Sequence, residues 1–430
     1  MLSVACLNRL QMQTTATTSV ALPRDPALSG THTGGIWASL SLRDFRVYWA
    51  SSMAQMGAMN VQQLVQPWLM YDLTGRASML GYTALAGAIP MLAFSPIGGL
   101  LADKFHKRTI IQIGQALSCA VAVLIALAVI FHFISWQFLV ITAFINGSLM
   151  AITMPSRQSM IREIVDRDQL TNALALNNAG QNMNRIMAPA VGGLLLGTVG
   201  AAGGYFTMAG LYVVALLMTA RLPNFRARQS KGSWGYQMSS GLSYIKRDRT
   251  IFVVLVVSLG AVILSMPYMT MLPVFAKDVL ALGPGHLGIL MTVSGVGALA
   301  TSLFLAALPD KNRGKLFLGS TLLMGSALVG LVYSGSYLFA LLWIVPVGIG
   351  QAGRMAIGNI LVQGYVEDEF RGRVMSIYMM EFGLTAVSTF GVAVIAEAVG
   401  VQRAVAATGV LLVAYTLFIY LAVPRMRKLD

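Results

Sequence analysis

The chain has 430 residues, 56% of them hydrophobic and only 11% charged, with a net charge of +14. Its mean hydropathy is +0.71. A soluble chain averages about 25% charged residues, so most of this one is surrounded by lipid, and a soluble globular protein is excluded. The positive charge does not point to nucleic acid. Its bases cluster in short loops between apolar runs, as the positive-inside rule expects.

Residues 1–43 are rich in Thr, Ser, Ala and Gly without a sustained apolar run and read as a flexible cytoplasmic tail. No cleavable signal pattern is present. Cys6 lies in this tail and Cys119 in an apolar run, so a structural disulfide is not expected. A spanning helix needs about 20 mostly apolar residues. Six such segments fall at 45–71, 78–102, 109–132, 136–160, 172–198 and 202–221, and six more at 251–275, 284–308, 316–333, 337–363, 373–397 and 402–424. The chain thus divides into a first six-helix half (44–222), a basic linker (223–250), a second half (251–424) and a short C-terminus (425–430). Within the linker, Tyr236 to Arg247 reads as an amphipathic helix lying against anionic headgroups.

With both termini cytoplasmic, Arg76, Lys277 and Arg403 fall outside, Arg157, Arg185 and Arg354 fall within spans, and the rest of the 30 Lys and Arg lie inside. The loop Gly99 to Arg108 carries Asp103-Lys104 followed by Lys107 and Arg108. The loop Leu308 to Lys315 carries Asp310-Lys311 followed by Arg313. Asp166-Arg167-Asp168 and Glu367-Asp368-Glu369 echo each other at a similar offset. Two echoes imply two parallel six-helix repeats, the architecture of secondary transporters.

Polar residues inside spans are costly and mark candidate sites. Gln55, Gln62 and Gln66 fall within about 40° of one another on the first span. They suit a cavity wall, or equally hydrogen bonds between helices. The fifth span carries Asn177, Gln181 and Arg185 on one polar band, with Arg185 about 20 Å from the cytoplasmic start. That arginine suits either an anionic substrate or a structural role against carbonyls and amides. Glu381 lies about 12 Å into the eleventh span and is the candidate proton-coupling carboxylate. Arg354 is its natural partner, and the alternative is a static ion pair between the tenth and eleventh spans. Met266, Met269, Met271 and Met291 offer either adaptable contacts or plain packing. No phosphate-binding Gly-x4-Gly-Lys-Ser/Thr loop, Gly-x-Ser-x-Gly elbow, His-Glu-x-x-His helix or metal-ligand cluster occurs. Neither an enzyme nor a resident metal is expected.

The loop with Gly99, Asp103, Lys104, Lys107 and Arg108 resembles the signature loop of the major facilitator superfamily, with Lys104 for an Arg and His106 for a Gly. Gly180, Pro189, Gly192 and Gly193 resemble that superfamily's antiporter-associated motif, with Asn184 and Ala188 replacing glycines. The phrases Asp44-Phe45-Arg46, Met154 to Gln158, Asn172 to Asn177 and Arg371 to Ser376 resemble its enterobactin-exporter and macrolide-efflux branch. The resemblance implies an all-α membrane protein of twelve helices in two pseudo-symmetric halves. It implies that Asp103 and Arg108 hold a cytoplasmic gate, and that the fifth span seals against the other half. The function expected is proton-coupled export of an amphipathic small molecule across a bacterial inner membrane by alternating access. The expected partners are substrate, protons and membrane lipids, with the protein monomeric and no cofactor beyond the proton gradient. An importer of the same fold, and a membrane receptor or lipid-handling protein, are the alternatives.

Overall fold

Helix ends here are set by local chemistry. Ser135 and Ser336 each accept a backbone N–H three residues on, at 3.4 Å, and Asp248 accepts from Thr250 (2.7 Å) and Ile251 (3.1 Å). These caps satisfy donors that the first turn leaves open. The computed structural model describes residues 38–224, 234–308 and 311–429. The first half consists of α1 (Arg43–Thr74), α2 (Ala77–Lys104), α3 (Lys107–Ile130), α4 (Trp136–Ile164), α5 (Arg167–Thr198) and α6 (Gly200–Thr219). The helix α7 (Trp234–Arg247) lies in the linker. The second half consists of α8 (Arg249–Ser265), α9 (Pro267–Val274), α10 (Pro284–Ala307), α11 (Arg313–Val332), α12 (Tyr337–Tyr365), α13 (Asp368–Met379), α14 (Glu381–Val399) and α15 (Val401–Ala422), closed by α16 (Pro424–Arg427). No strand occurs among the described residues.

Two spans are broken, which the sequence reading treats as continuous. Pro267 lacks the N–H that would continue α8, so α9 starts afresh there and ends in a wide π turn, Phe275–Val279. A tight turn at Met380, whose N–H bonds to Ile377 at 3.0 Å, separates α13 from α14. Counting each broken pair as one gives twelve crossings. Among the described residues, nine spans are long and apolar enough to cross a membrane, α8, α9 and the π turn counting together as one, and Gly383–Val399 is a shorter apolar helix. The other two crossings, α1 and α5, carry the amides and Arg185. The exterior is apolar, with Leu421 72% and Leu303 66% exposed, the inverse of a soluble fold and the pattern lipid requires.

The halves repeat each other's packing. In the first, α2 lies on α4 and α3 on α6; in the second, α10 lies on α12 and α11 on α15. Glycines permit the equivalent close approaches: Gly147 against the Gly87 carbonyl, and Gly348 against Ser294. The halves then meet reciprocally, α5 on α10 and α2 on α14. The linker helix α7 joins the second half, its Tyr244 ring stacked on Phe370 at 4.3 Å. We call the membrane side bearing α7 the linker end and the opposite side the far end.

Candidate functional site

Between the halves lies a cavity of about 240 Å³. The break at Pro267 swings Tyr268 and Met269 toward it from α9. Asn60 and Gln63 reach it from α1, Arg185 from α5, and Gln351 and Met355 from α12. Tyr268 donates to the Gln351 Oε1 at 2.9 Å, and the Gln351 amide N–H points to Met269 Sδ at 3.4 Å. Asn60 donates to the Met56 carbonyl of its own helix at 2.9 Å. Arg185 is exposed to the cavity and makes no hydrogen bond or ion pair among the described residues. Tyr268 is within its electrostatic reach. Among the described residues, no acidic side chain lines the cavity.

A second cavity of about 190 Å³ continues toward the far end and shares Gln63, Met269 and Met291 with the first. A wider recess, about 650 Å³, surrounds Arg76 and Glu397 at the far-end rim. Its two charged groups already pair with each other, so the converging polar groups favour the central cavity as the site.

The far end is closed by polar contacts between the halves. Arg76 bonds to Glu397 at 2.8 Å, Lys277 to Asp72 at 2.5 Å, and Tyr71 to Asp278. The Ser78 backbone N–H also donates to Glu397, at 2.9 Å. Deeper in, Thr292 of α10 donates to the Ile186 carbonyl of α5 at 3.1 Å. There a Cβ on Gly193 would lie 2.6 Å from the Gly288 Cα, so the two backbones touch.

The structure redistributes the residues singled out from sequence. Gln62 and Gln66 bond to each other at 2.9 Å and line the second cavity, not the first. Gln55 is buried inside the first half, accepting from Gln115 of α3 at 2.9 Å. Asn177 is buried and Gln181 half-buried, and neither lines either cavity. A helical wheel fixes the angles between side chains but not which face meets the cavity, and Asn60 and Gln63 hold the face assigned to Gln55. Of the α5 motif, Pro189 and Gly193 face α10, whereas Gly180 packs on Trp49 and Met53 and Gly192 on Val61 of α1. Only part of the motif therefore seals one half against the other.

Glu381 stands at the first residue of α14, beyond the Met380 break, 9% exposed. Because the helix begins at Asp368, it lies about 20 Å in, deeper than the sequence spacing implies. Arg354 is 1% exposed. The two interact electrostatically, and the Tyr378 hydroxyl faces Glu381. Arg354 and Glu381 are nonetheless absent from the ion pairs formed among the described residues. The Arg354 Nε and the Glu381 Oε2 are both buried without a hydrogen-bond partner among the described residues.

In the first charged loop, Lys107 pairs with Glu163, and Arg108 donates to the Leu222 carbonyl at 2.6 Å. Both of these contacts stay within one half. Gly99 is half-buried in α2 and Lys104 is exposed. The Asp103 side chain and Asp310 lie outside the described residues, Lys311 is exposed, and Arg313 opens α11.

The transmembrane secretion effector family model matches residues 34–430. Similar proteins include the staphyloferrin A transporter of Staphylococcus aureus, 25% identical over 84% of this chain and 91% of that protein. Macrolide efflux protein A of Streptococcus pyogenes is 24% identical over 90% and 97%. Multidrug efflux pump Tap of Mycolicibacterium fortuitum is 24% identical over 72% and 78%. Among solved structures, a bacterial homologue of the lysosomal transporter Spinster, inward-facing and unoccupied, superposes with a TM-score of 0.72 at 14% identity, covering 89% of this chain and 96% of that one. The nucleoside transporter NupG superposes at 0.69, with 17% identity and coverage of 90% and 100%. These superpositions establish the major facilitator fold.

Proposed function

Because this chain belongs to the transmembrane secretion effector family of major facilitator transporters, we propose that it exports an amphipathic small molecule by proton-coupled alternating access. It is an integral membrane protein and a transporter. The reading adds a bacterial inner membrane, both termini in the cytoplasm, a monomer in contact with lipid, and no cofactor beyond the proton gradient. No enzymatic step is proposed.

The observation that carries coupling is the Glu381 pocket. A carboxyl at that depth is tolerated as an anion beside a cation, or as a neutral acid. Arg354 is near enough to act on Glu381 without being bonded to it. Binding and release of a proton would then change how strongly α12 and α14 attract each other. Those two helices belong to the half whose α12 also carries Gln351 and Met355 of the central cavity. The closed far end supports a conformation loaded from the linker end.

Acidified inside-out vesicles test the reading. Adding a transported compound from a panel of catechol siderophores, macrolides and lipophilic cations should release protons in wild type. Glu381→Gln, present at equal level in the membrane, should release none. Equal proton release by the variant would overturn the assignment of Glu381. Wild-type silence, with substrate uptake indifferent to the gradient, would overturn proton coupling itself.

A further inference from the structure

The cavity's charge distribution selects among amphipathic substrates. We infer that the central cavity binds anions, with the Arg185 guanidinium clasping a carboxylate, sulfonate or comparable acidic group and the methionine wall taking the apolar body. The inference rests on the transport reading above and names the substrate class of that site.

A deep arginine usually finds carbonyls, amides or a carboxylate, because an unpaired cation in low dielectric is costly. Two neighbours illustrate the usual case. Arg157 donates to Ser52 at 2.8 Å inside the first half, and Arg354 has Glu381 beside it. Arg185 has neither among the described residues, although amides surround it. The Gln351 carbonyl is taken by Tyr268, and the Asn60 N–H by its own helix. Both amides are held by these bonds, and neither bonds to the guanidinium, whose donors are left facing open volume. With no carboxylate among the described residues of the wall, the cavity keeps a positive potential that low-dielectric walls concentrate. Five N–H donors in a planar fork match a two-oxygen anion bidentately. Met266, Met269, Met291 and Met355 provide polarisable, adaptable walls. They select for apolar bulk without a fixed shape, so charge carries the discrimination.

The test uses three probes with one fluorophore: dansylglycine (anion), dansylglycinamide (neutral) and dansylcadaverine (cation). Binding is measured by fluorescence titration on the full chain in nanodiscs, without any gradient. Wild type should bind the anion at least about tenfold more tightly than the amide, one charge-assisted contact being worth about 1.5–3 kcal/mol, and the cation weakest. Arg185→Gln should remove the anion's advantage and leave the amide's affinity unchanged, and Arg185→Lys should restore part of it. Absence of saturable anion binding, an equal loss for anion and amide, or tight cation binding would overturn the inference.

A second measurement reads the potential without a ligand. In a Cys6→Ser, Cys119→Ser background, Ser294→Cys should react faster with sulfonatoethyl than with trimethylammonioethyl methanethiosulfonate, relative to a free thiol. Arg185→Gln should bring the ratio to that of the free thiol. A ratio that ignores residue 185 would also overturn the inference. Because neither experiment needs transport, failure of proton-coupled export would leave both readouts intact.

Discussion

Arg185 and Arg354 lie on facing halves, deep in the membrane, in opposite company. Arg354 is 1% exposed beside Glu381, whereas Arg185 opens into a cavity with no acidic side chain among the described residues of its wall. The same side chain serves in one place as an internal counter-charge and in the other as an invitation to an external one. What separates the two roles is whether the protein supplies the anion.

The largest effect should come from breaking that contrast. Arg354→Leu leaves the Glu381 carboxyl buried without its cation and should cost about 3–5 kcal/mol. Arg185→Leu removes no partner and should cost less than about 1 kcal/mol. Thermal unfolding of the purified variants checks this, and equal losses would erase the distinction. Next, Gly288→Ala attacks the wall that holds Arg185's helix in place. Its Cβ would lie 2.6 Å from the Pro189 carbonyl oxygen and 2.8 Å from the Gly193 Cα. Overpacking of this kind costs about 1–3 kcal/mol, borne by the conformation closed at the far end. Spin labels at Thr74 and Val399 should report longer distances, and an unchanged distribution would show that the contact yields locally.

Tyr268→Phe sharpens the comparison on the cavity side. It deletes one hydrogen bond to Gln351, worth about 0.5–1.5 kcal/mol. The freed Gln351 carbonyl can then turn toward Arg185, so anion affinity should fall less than about tenfold while the preference for anions persists. The smallest effect belongs to the rim. The Lys277–Asp72 pair has side chains 39% and 56% exposed. Asp72→Asn should shift the far-end equilibrium by no more than about 1 kcal/mol, and added salt should abolish the difference.

Much of this arrangement is legible in the chain because lipid imposes one rule on every span. Apolar runs, basic loops and two echoes lead to twelve crossings in two halves. Arg185 could be found as a candidate because a charge inside an apolar run is conspicuous. Its freedom could not, since that depends on where Tyr268 and Asn60 spend their hydrogen bonds. The Gln55 stripe divides between its two readings, Gln62 and Gln66 lining the second cavity and Gln55 bonding across to Gln115. Its internal angles are sound, but the rotation of α1 is set by Gln115 and by α6, which no local pattern reports. Gln351 lacks any signal of its own, as a single amide in an apolar span. Glu381 was visible by its charge, while the Met380 turn that puts it at the start of a helix was not.

The touching backbones of Gly193 and Gly288 have a mechanical consequence. With no side chain between them, α5 and α10 can pivot there like the two arms of a pair of shears. Gly193 is about 8 Å along α5 from its far end and about 39 Å from its linker end. A tilt about that point therefore moves the linker end roughly five times as far as the far end. The lever favours a wide mouth at the linker end and a narrow slit at the far end.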